Sequence, residues 1–139
     1  MIIFDTNVIS ELAKSLPDPH VKTWFAAQDP AEFWTTAICE AEVYLGIALQ
    51  PAGRRRLDIE SAMRGVLAKL FPGRILPFDS AAAEQFAHVV VQRRTANLKT
   101  DEADGQIAAI ARAHGAVVAT RNVKHFEHSG AKHLNPWAA

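Results

Sequence analysis

Met1-Ile2-Ile3-Phe4-Asp5-Thr6-Asn7 opens the chain with a short apolar run that ends on a carboxylate and two side chains able to cap a helix. An uninterrupted run of this length reads as a strand buried on both faces, as in a parallel sheet. Ala116-Val117-Val118-Ala119-Thr120 repeats the pattern near the other end and closes on a hydroxyl, followed by Arg121. Between them the spacing of apolar residues is mostly helical. Val8 to Leu16 follows capping-competent Thr6 and Asn7 and stops at Pro17 to Pro19, and His20 to Ala27 forms a second short helix. Glu32 to Thr36 reads as a strand, and Ala37 to Leu49 as a helix that ends before Pro51 and Gly53. From Arg54 to Phe71 the residues Leu57, Met63, Val66, Leu67 and Leu70 recur mostly at steps of three and four, one face of a long helix. Arg74 to Phe78 is a short strand. Asp79 or Ser80 can cap the helix running to Ala96, and Thr100 can cap one from Asp101 to Ala113, stopped by His114-Gly115. Val123 to Phe126 is a short turn or helix, and Lys132 to Leu134 a last edge strand. Strands alternating with helices give an α/β fold with a mainly parallel sheet and helices on both faces.

Composition narrows the class. The 139 residues are 49% hydrophobic and 22% charged, enough apolar content to exclude intrinsic disorder and to build one core without staples. Fifteen basic residues balance fifteen acidic ones. Such a balance excludes a broad basic surface as the main grip on nucleic acid, and leaves a small local site open. The single cysteine, Cys39, forms no internal disulfide and belongs to no Cys-x-x-Cys pair, which fits a reducing compartment. No basic and apolar leader precedes Asp5, and no apolar stretch reaches the ~18 residues of a membrane span, so a cytoplasmic location without membrane attachment is expected.

The informative residues are carboxylates. In open α/β sheets the reactive crevice lies beyond the carboxyl ends of the strands, where Asp5 is expected, although a cap or turn aspartate is equally at home there. Glu42 sits on the helix Ala37 to Leu49 among Ala41, Val43, Leu45 and Ile47, with Glu40 as its competitor. Asp104 lies in the first turn of the helix Thr100 to Ala113, where Asp101 and Glu102 profit equally from the helix dipole. Thr120-Arg121-Asn122 opens into the same crevice as Asp5. Carboxylates brought together repel unless a cation sits between them, and oxygen ligands suit Mg²⁺ or Mn²⁺ better than zinc. The histidines crowded near the C-terminus, His125, His128 and His133, match no zinc spacing, and Cys39 reads as a small core residue three positions from Glu42.

Four segments in order carry a likeness: Phe4-Asp5-Thr6-Asn7, Ala41-Glu42-Val43-Tyr44-Leu45-Gly46, Ala103-Asp104-Gly105-Gln106-Ile107-Ala108-Ala109 and Val118-Ala119-Thr120-Arg121-Asn122. Together they resemble the PIN-domain ribonucleases, most specifically the VapC-type toxins of bacterial toxin-antitoxin pairs, including the FitB-like branch. The resemblance spans the whole chain to Asn135-Pro136-Trp137 and implies a single PIN domain over residues 1–139, an α/β/α sandwich. It implies a metal-dependent endoribonuclease that hydrolyses RNA, with Mg²⁺ or Mn²⁺ held by Asp5, Glu42 and Asp104. Asn7 matches the polar residue of the first motif and Thr120 the hydroxyl of the last. Asn122 stands where many PIN domains place a fourth acid, so the site is one negative charge short.

The same likeness implies a homodimer inhibited by a cognate antitoxin protein, and an RNA substrate such as tRNA. Lys and Arg must guide that RNA. Arg121 and Lys124 flank the crevice and are the candidates for substrate binding together with Asn7, whereas Arg54-Arg55-Arg56 reads as a solvated helix start. Arg93-Arg94 and Lys99 are further candidates. The rival reading is a PIN-like module, weakened by Asn122, that binds RNA or protein without cutting. A haloacid-dehalogenase motif is excluded, because it requires Asp-x-Asp-x-Thr where this chain has Asp5-Thr6-Asn7-Val8-Ile9.

Overall fold

A computed structural model describes residues 1–139. Five strands, β1 (Ile2–Phe4), β2 (Phe33–Thr36), β3 (Ile75–Leu76), β4 (Val117–Ala119) and β5 (Lys132–Leu134), form one sheet in the order β3-β2-β1-β4-β5. Every pairing is parallel, with Ile3 opposite Trp34 on one side and Val118 on the other. Seven helices connect them: α1 (Thr6–Leu12), α2 (Pro19–Ala26), α3 (Ala37–Ala48), α4 (Arg54–Leu70), α5 (Ser80–Thr95), α6 (Glu102–His114) and α7 (Val123–Phe126).

Neighbouring residues of a strand point to opposite faces. Ile3 and Phe4 are both fully buried, as are Val118 and Ala119, so helices cover both faces of the sheet. This is the α/β architecture with a parallel sheet expected from the sequence. Phe4 centres the aromatic part of the core, with its ring centroid 4.9 Å from Phe33, 5.4 Å from Phe71 and 5.5 Å from Trp24. The Thr35 hydroxyl adds a buried 2.9 Å bond to the Phe4 carbonyl and ties β2 to β1 beyond the ladder.

The helix starts depart from expectation in a consistent way. Asp5, not Thr6 or Asn7, caps α1, its Oδ1 accepting from Thr6 N at 2.8 Å. Asp101, not Thr100, caps α6 by accepting from Asp104 N at 3.1 Å. In both, the aspartate side chain reaches the first free amides and wins the cap position. Helix α1 also stops at Leu12 rather than Leu16. The buried Glu11 carboxylate accepts from Asp18 N at 2.9 Å and from Lys14 Nζ at 3.0 Å, folding the chain back before the prolines are reached. Strand β3 spans two residues rather than Arg74 to Phe78, since Pro77 has no N–H to continue the ladder; the Arg74 guanidinium before it donates to the carbonyls of Phe33 and Leu70.

Candidate functional site

The strand order reverses at β1: the chain runs outward through β2 and β3 on one side, then returns to β4 and β5 on the other. Loops diverge at such a switch point and leave a crevice at the carboxyl ends of the strands. Asp5 follows β1 and Thr120 follows β4, so the two residues sit on the rims of that crevice.

Asp5 is 3% exposed, and three side chains or amides hold its carboxylate. Oδ2 accepts from the Thr120 hydroxyl at 2.7 Å and from Asn7 Nδ2 at 3.2 Å, while Oδ1 takes the α1 amide. Thr120 is itself buried, and its oxygen accepts from Asn122 N at 3.0 Å. The Asn7 carbonyl oxygen accepts from Arg121 N at 3.1 Å. Asn7 and Thr120 thus join the two strand ends by hydrogen bonds that converge on one carboxylate.

Glu42 reaches the same crevice from α3, which Thr36 caps at the end of β2. Its Oε1 accepts from the Thr6 hydroxyl at 2.8 Å. Ligand atoms of Asp5, Glu42 and Cys39 lie within 4.8 Å of one another. Asp104 stands outside that tight set; its Oδ2 lies 2.6 Å from His125 Nδ1.

Electrostatics records the crowding. Burial raises the carboxyl pKa of Asp5, Glu42 and Asp104 above the ordinary range. Hydrogen bonds from Thr120, Thr6 and His125 respectively oppose the rise, and the charge of Asp104 adds to it at Asp5 and Glu42. Two carboxylates, Asp5 and Glu42, within one ion's reach offer the hard oxygen donors that a divalent cation takes. Cys39 is the soft member of the group: a thiol suits Mg²⁺ or Mn²⁺ poorly, and burial and the neighbouring Asp5 push its pKa up to about 12.

Other candidates are distributed differently. Asn122 is exposed and its side chain has no partner. Arg121 is exposed, with its guanidinium 5.0 Å from the Trp137 ring centroid. Lys124 is exposed on α7. Glu40 accepts from the Tyr44 hydroxyl, and Asp101 caps α6 while its charge adds to burial in raising the pKa of both Glu42 and Asp104. Arg93, a sequence candidate for guiding RNA, is instead buried, with its guanidinium on the carbonyls of Lys99, Lys124 and Glu127. Arg54 opens α4 paired with Asp58, on an exposed helix start.

His125 is the residue that sequence reasoning missed. Considered with His128 and His133 for zinc, it contacts Asp104, whereas His133 bonds the Ala131 carbonyl and His128 is exposed. Only the position of α7 against α6 brings it there, and no spacing signal marks a contact across 21 residues. A groove of about 560 Å³ leads away from Glu42 and Thr6 between α1, α3 and α4, floored by Val43, Ile47 and Met63.

Comparison with known proteins agrees with this geometry. The PIN-domain family model matches residues 2–130. The chain is 43% identical over 137 residues to VapC ribonuclease Y4jK of Sinorhizobium fredii (strain NBRC 101917 / NGR234), covering 99% of this chain and 98% of that protein. It is 36% identical over 137 residues to toxin FitB of Neisseria gonorrhoeae (strain ATCC 700825 / FA 1090), covering 99% of each. The crystal structure of FitAcB from Neisseria gonorrhoeae superposes with a TM-score of 0.90 at 35% identity over the full length of both chains. With the parallel sheet, helices on both faces and acids gathered at the switch point, the chain belongs to the PIN-domain family, as a homologue of the VapC and FitB toxins.

Proposed function

We propose that this protein is a divalent-metal-dependent endoribonuclease and the toxin of a toxin-antitoxin pair. What supports the reading is the closeness of the Asp5 and Glu42 carboxylates, from the end of β1 and from α3, at the switch point, with the charge of Asp104 on α6 adding to burial in raising the pKa of both. The names of the relatives, a ribonuclease and a toxin, support the same activity. Asp5 and Glu42 would hold Mg²⁺ or Mn²⁺ directly, with Asp104 completing the site from the opposite wall. When bound, such an ion polarises the scissile phosphate and makes the attacking water more acidic.

The chain's own groups do the rest. Thr120 and Asn7 hold the Asp5 carboxylate in a single orientation by hydrogen bonds at 2.7 and 3.2 Å. Thr6 does the same for Glu42. Asn122 offers an unpartnered amide to a phosphate oxygen or a water, without the charge of a fourth acid. Arg121, stacked against Trp137, and Lys124 present cations to the RNA backbone on the rim. Asn7, a substrate-binding candidate from the sequence, also bridges Asp5 and the Arg121 amide and so steadies the rim that would meet the RNA.

An antitoxin is the proposed protein partner, supported by the FitAcB complex structure. Leu45, Leu49 and Leu57 on α3 and α4 are 58%, 74% and 62% exposed, an apolar surface suited to an antitoxin or to a second copy in a homodimer. A cytoplasmic location is consistent with a chain in which no helix is long and apolar enough to cross a membrane.

The test is RNA cleavage by purified protein freed of partners, with Mg²⁺ or Mn²⁺ and with EDTA. Cleavage should require the metal, and Asp5→Asn should lower it by ~100-fold or more while the far-ultraviolet spectrum stays unchanged. Binding of RNA without cleavage under either metal would favour the non-cutting module that the neutral Asn122 allows.

A further inference from the structure

Asp104 is oriented by an atom from a different element. Its Oδ2 is 2.6 Å from His125 Nδ1, and no protein donor engages Oδ1. His125 belongs to α7, four residues long and without a side-chain cap at Asn122. A single helical turn does not hold itself in water. Two anchors hold this one: Phe126, fully buried in the core, and the guanidinium of Arg93.

Arg93 is 4% exposed and pairs with no carboxylate. It donates to the carbonyls of Lys124 and Glu127, which flank His125, at 3.3 and 2.5 Å. It also donates at 2.7 Å to the carbonyl of Lys99, in the segment leading into α6. One buried cation therefore fastens both the turn that carries His125 and the approach to the helix that carries Asp104. The imidazole is delivered to the carboxylate from a fixed platform, although its own outer half is solvent-exposed.

We infer that His125 is a positioning residue for Asp104: its Nδ1–H holds Oδ2 and so presents Oδ1 as the oxygen available to a divalent cation. The inference rests on the nuclease reading above. Hydrogen-bond partners of ligating carboxylates carry 10–100-fold effects on metal affinity in comparable sites. A purely structural ion pair would instead leave metal affinity untouched.

The experiment is calorimetric titration of Mn²⁺ into the metal-free full-length chain, as wild type, His125→Ala and His125→Asn, with RNA cleavage measured over a range of Mn²⁺ concentration. The asparagine amide nitrogen sits on Cγ, as Nδ1 does, and can replace the donor. His125→Ala should weaken Mn²⁺ binding by ~10–100-fold and shift the half-saturating Mn²⁺ for cleavage equally. His125→Asn should recover most of that loss. In the metal-free wild type, nitrogen-detected spectra should show the His125 proton on Nδ1, lost from the hydrogen bond in Asp104→Asn. Unchanged Mn²⁺ affinity in His125→Ala, or equal losses in both His125 variants, would overturn the positioning role while the wild type still binds Mn²⁺ and cuts. A wild type that neither binds Mn²⁺ nor needs it to cut would overturn the metal-nuclease reading itself.

Discussion

Cys39 Sγ lies 3.9 Å from Asp5 Oδ1, close enough to pass for a metal ligand. Ligand hardness assigns it otherwise: a fully buried soft thiol is a poor partner for Mg²⁺ or Mn²⁺, which take oxygen donors. Cys39→Ala should therefore leave Mn²⁺ affinity and cleavage within about twofold, while shedding about 1 kcal/mol of unfolding free energy for the lost packing. Calorimetry and denaturant titration check the two halves separately. A large loss of Mn²⁺ binding would restore the thiol as a ligand. The place of Asp5 was legible in the sequence because a carboxylate closing a buried strand lies at the crevice, although its capping of α1 was equally compatible with that position. Its cage was less so: Thr120 is 115 positions away, and only the pairing of β1 with β4 puts the hydroxyl 2.7 Å from the acid.

Among the elements, α6 shows how packing fixes a catalytic candidate. Gly105 follows Asp104, and a Cβ there would fall 2.6 Å from Thr100 Cγ2 and 3.0 Å from Phe86 Cε2. The glycine lets the first turn of α6 approach α5 and the loop before it, which sets the height of Asp104 in the crevice. Gly105→Ala should cost about 1–3 kcal/mol as an overpacking change. It should also lower cleavage by more than the loss of folded protein explains, because Asp104 shifts with the turn. A thermal melt beside the rate per folded molecule separates the effects, and full activity per folded molecule would refute the coupling. Helix boundaries themselves were readable where a proline or glycine imposed them, as at Gly115 with φ +62°. They were misread at Thr6 and Thr100, where an aspartate one residue away competed for the same amides.

For the molecule as a whole, three acids with raised pKa values link stability to pH. In the folded state each binds a proton over a range where the unfolded chain has lost it, so stability falls as pH rises from the ordinary carboxylate range toward neutrality. Glu11 works the other way. The Asp18 amide and Lys14 hold its pKa low, so its contribution is present above the ordinary carboxylate range and fades as pH falls through its folded value. Metal-free protein should melt higher just above the ordinary carboxylate range than at neutral pH, and saturating Mn²⁺ should flatten the difference by stabilising the charged site. Asp5→Asn should show a shallower slope. Melting temperature against pH, with and without Mn²⁺, measures all three; a metal-free slope of opposite sign would contradict the electrostatic account.

By itself, the sequence determined the class of fold and put Asp5 forward as a candidate acid, while Glu42 and Asp104 stood out from their acidic neighbours only through the family resemblance. Short two-face-buried strands can pair only in a covered parallel sheet, and the residue closing such a strand must lie at the crevice. Tertiary structure decided which polar groups serve those acids. It turned Arg93 from a surface cation into a buried clamp on three carbonyls, and it carried His125 to Asp104. It also engaged Asn7 between Asp5 and Arg121. The reason is geometric: local propensity and spacing act over a few residues, whereas a hydrogen bond across the crevice depends on how the helices seat on the sheet.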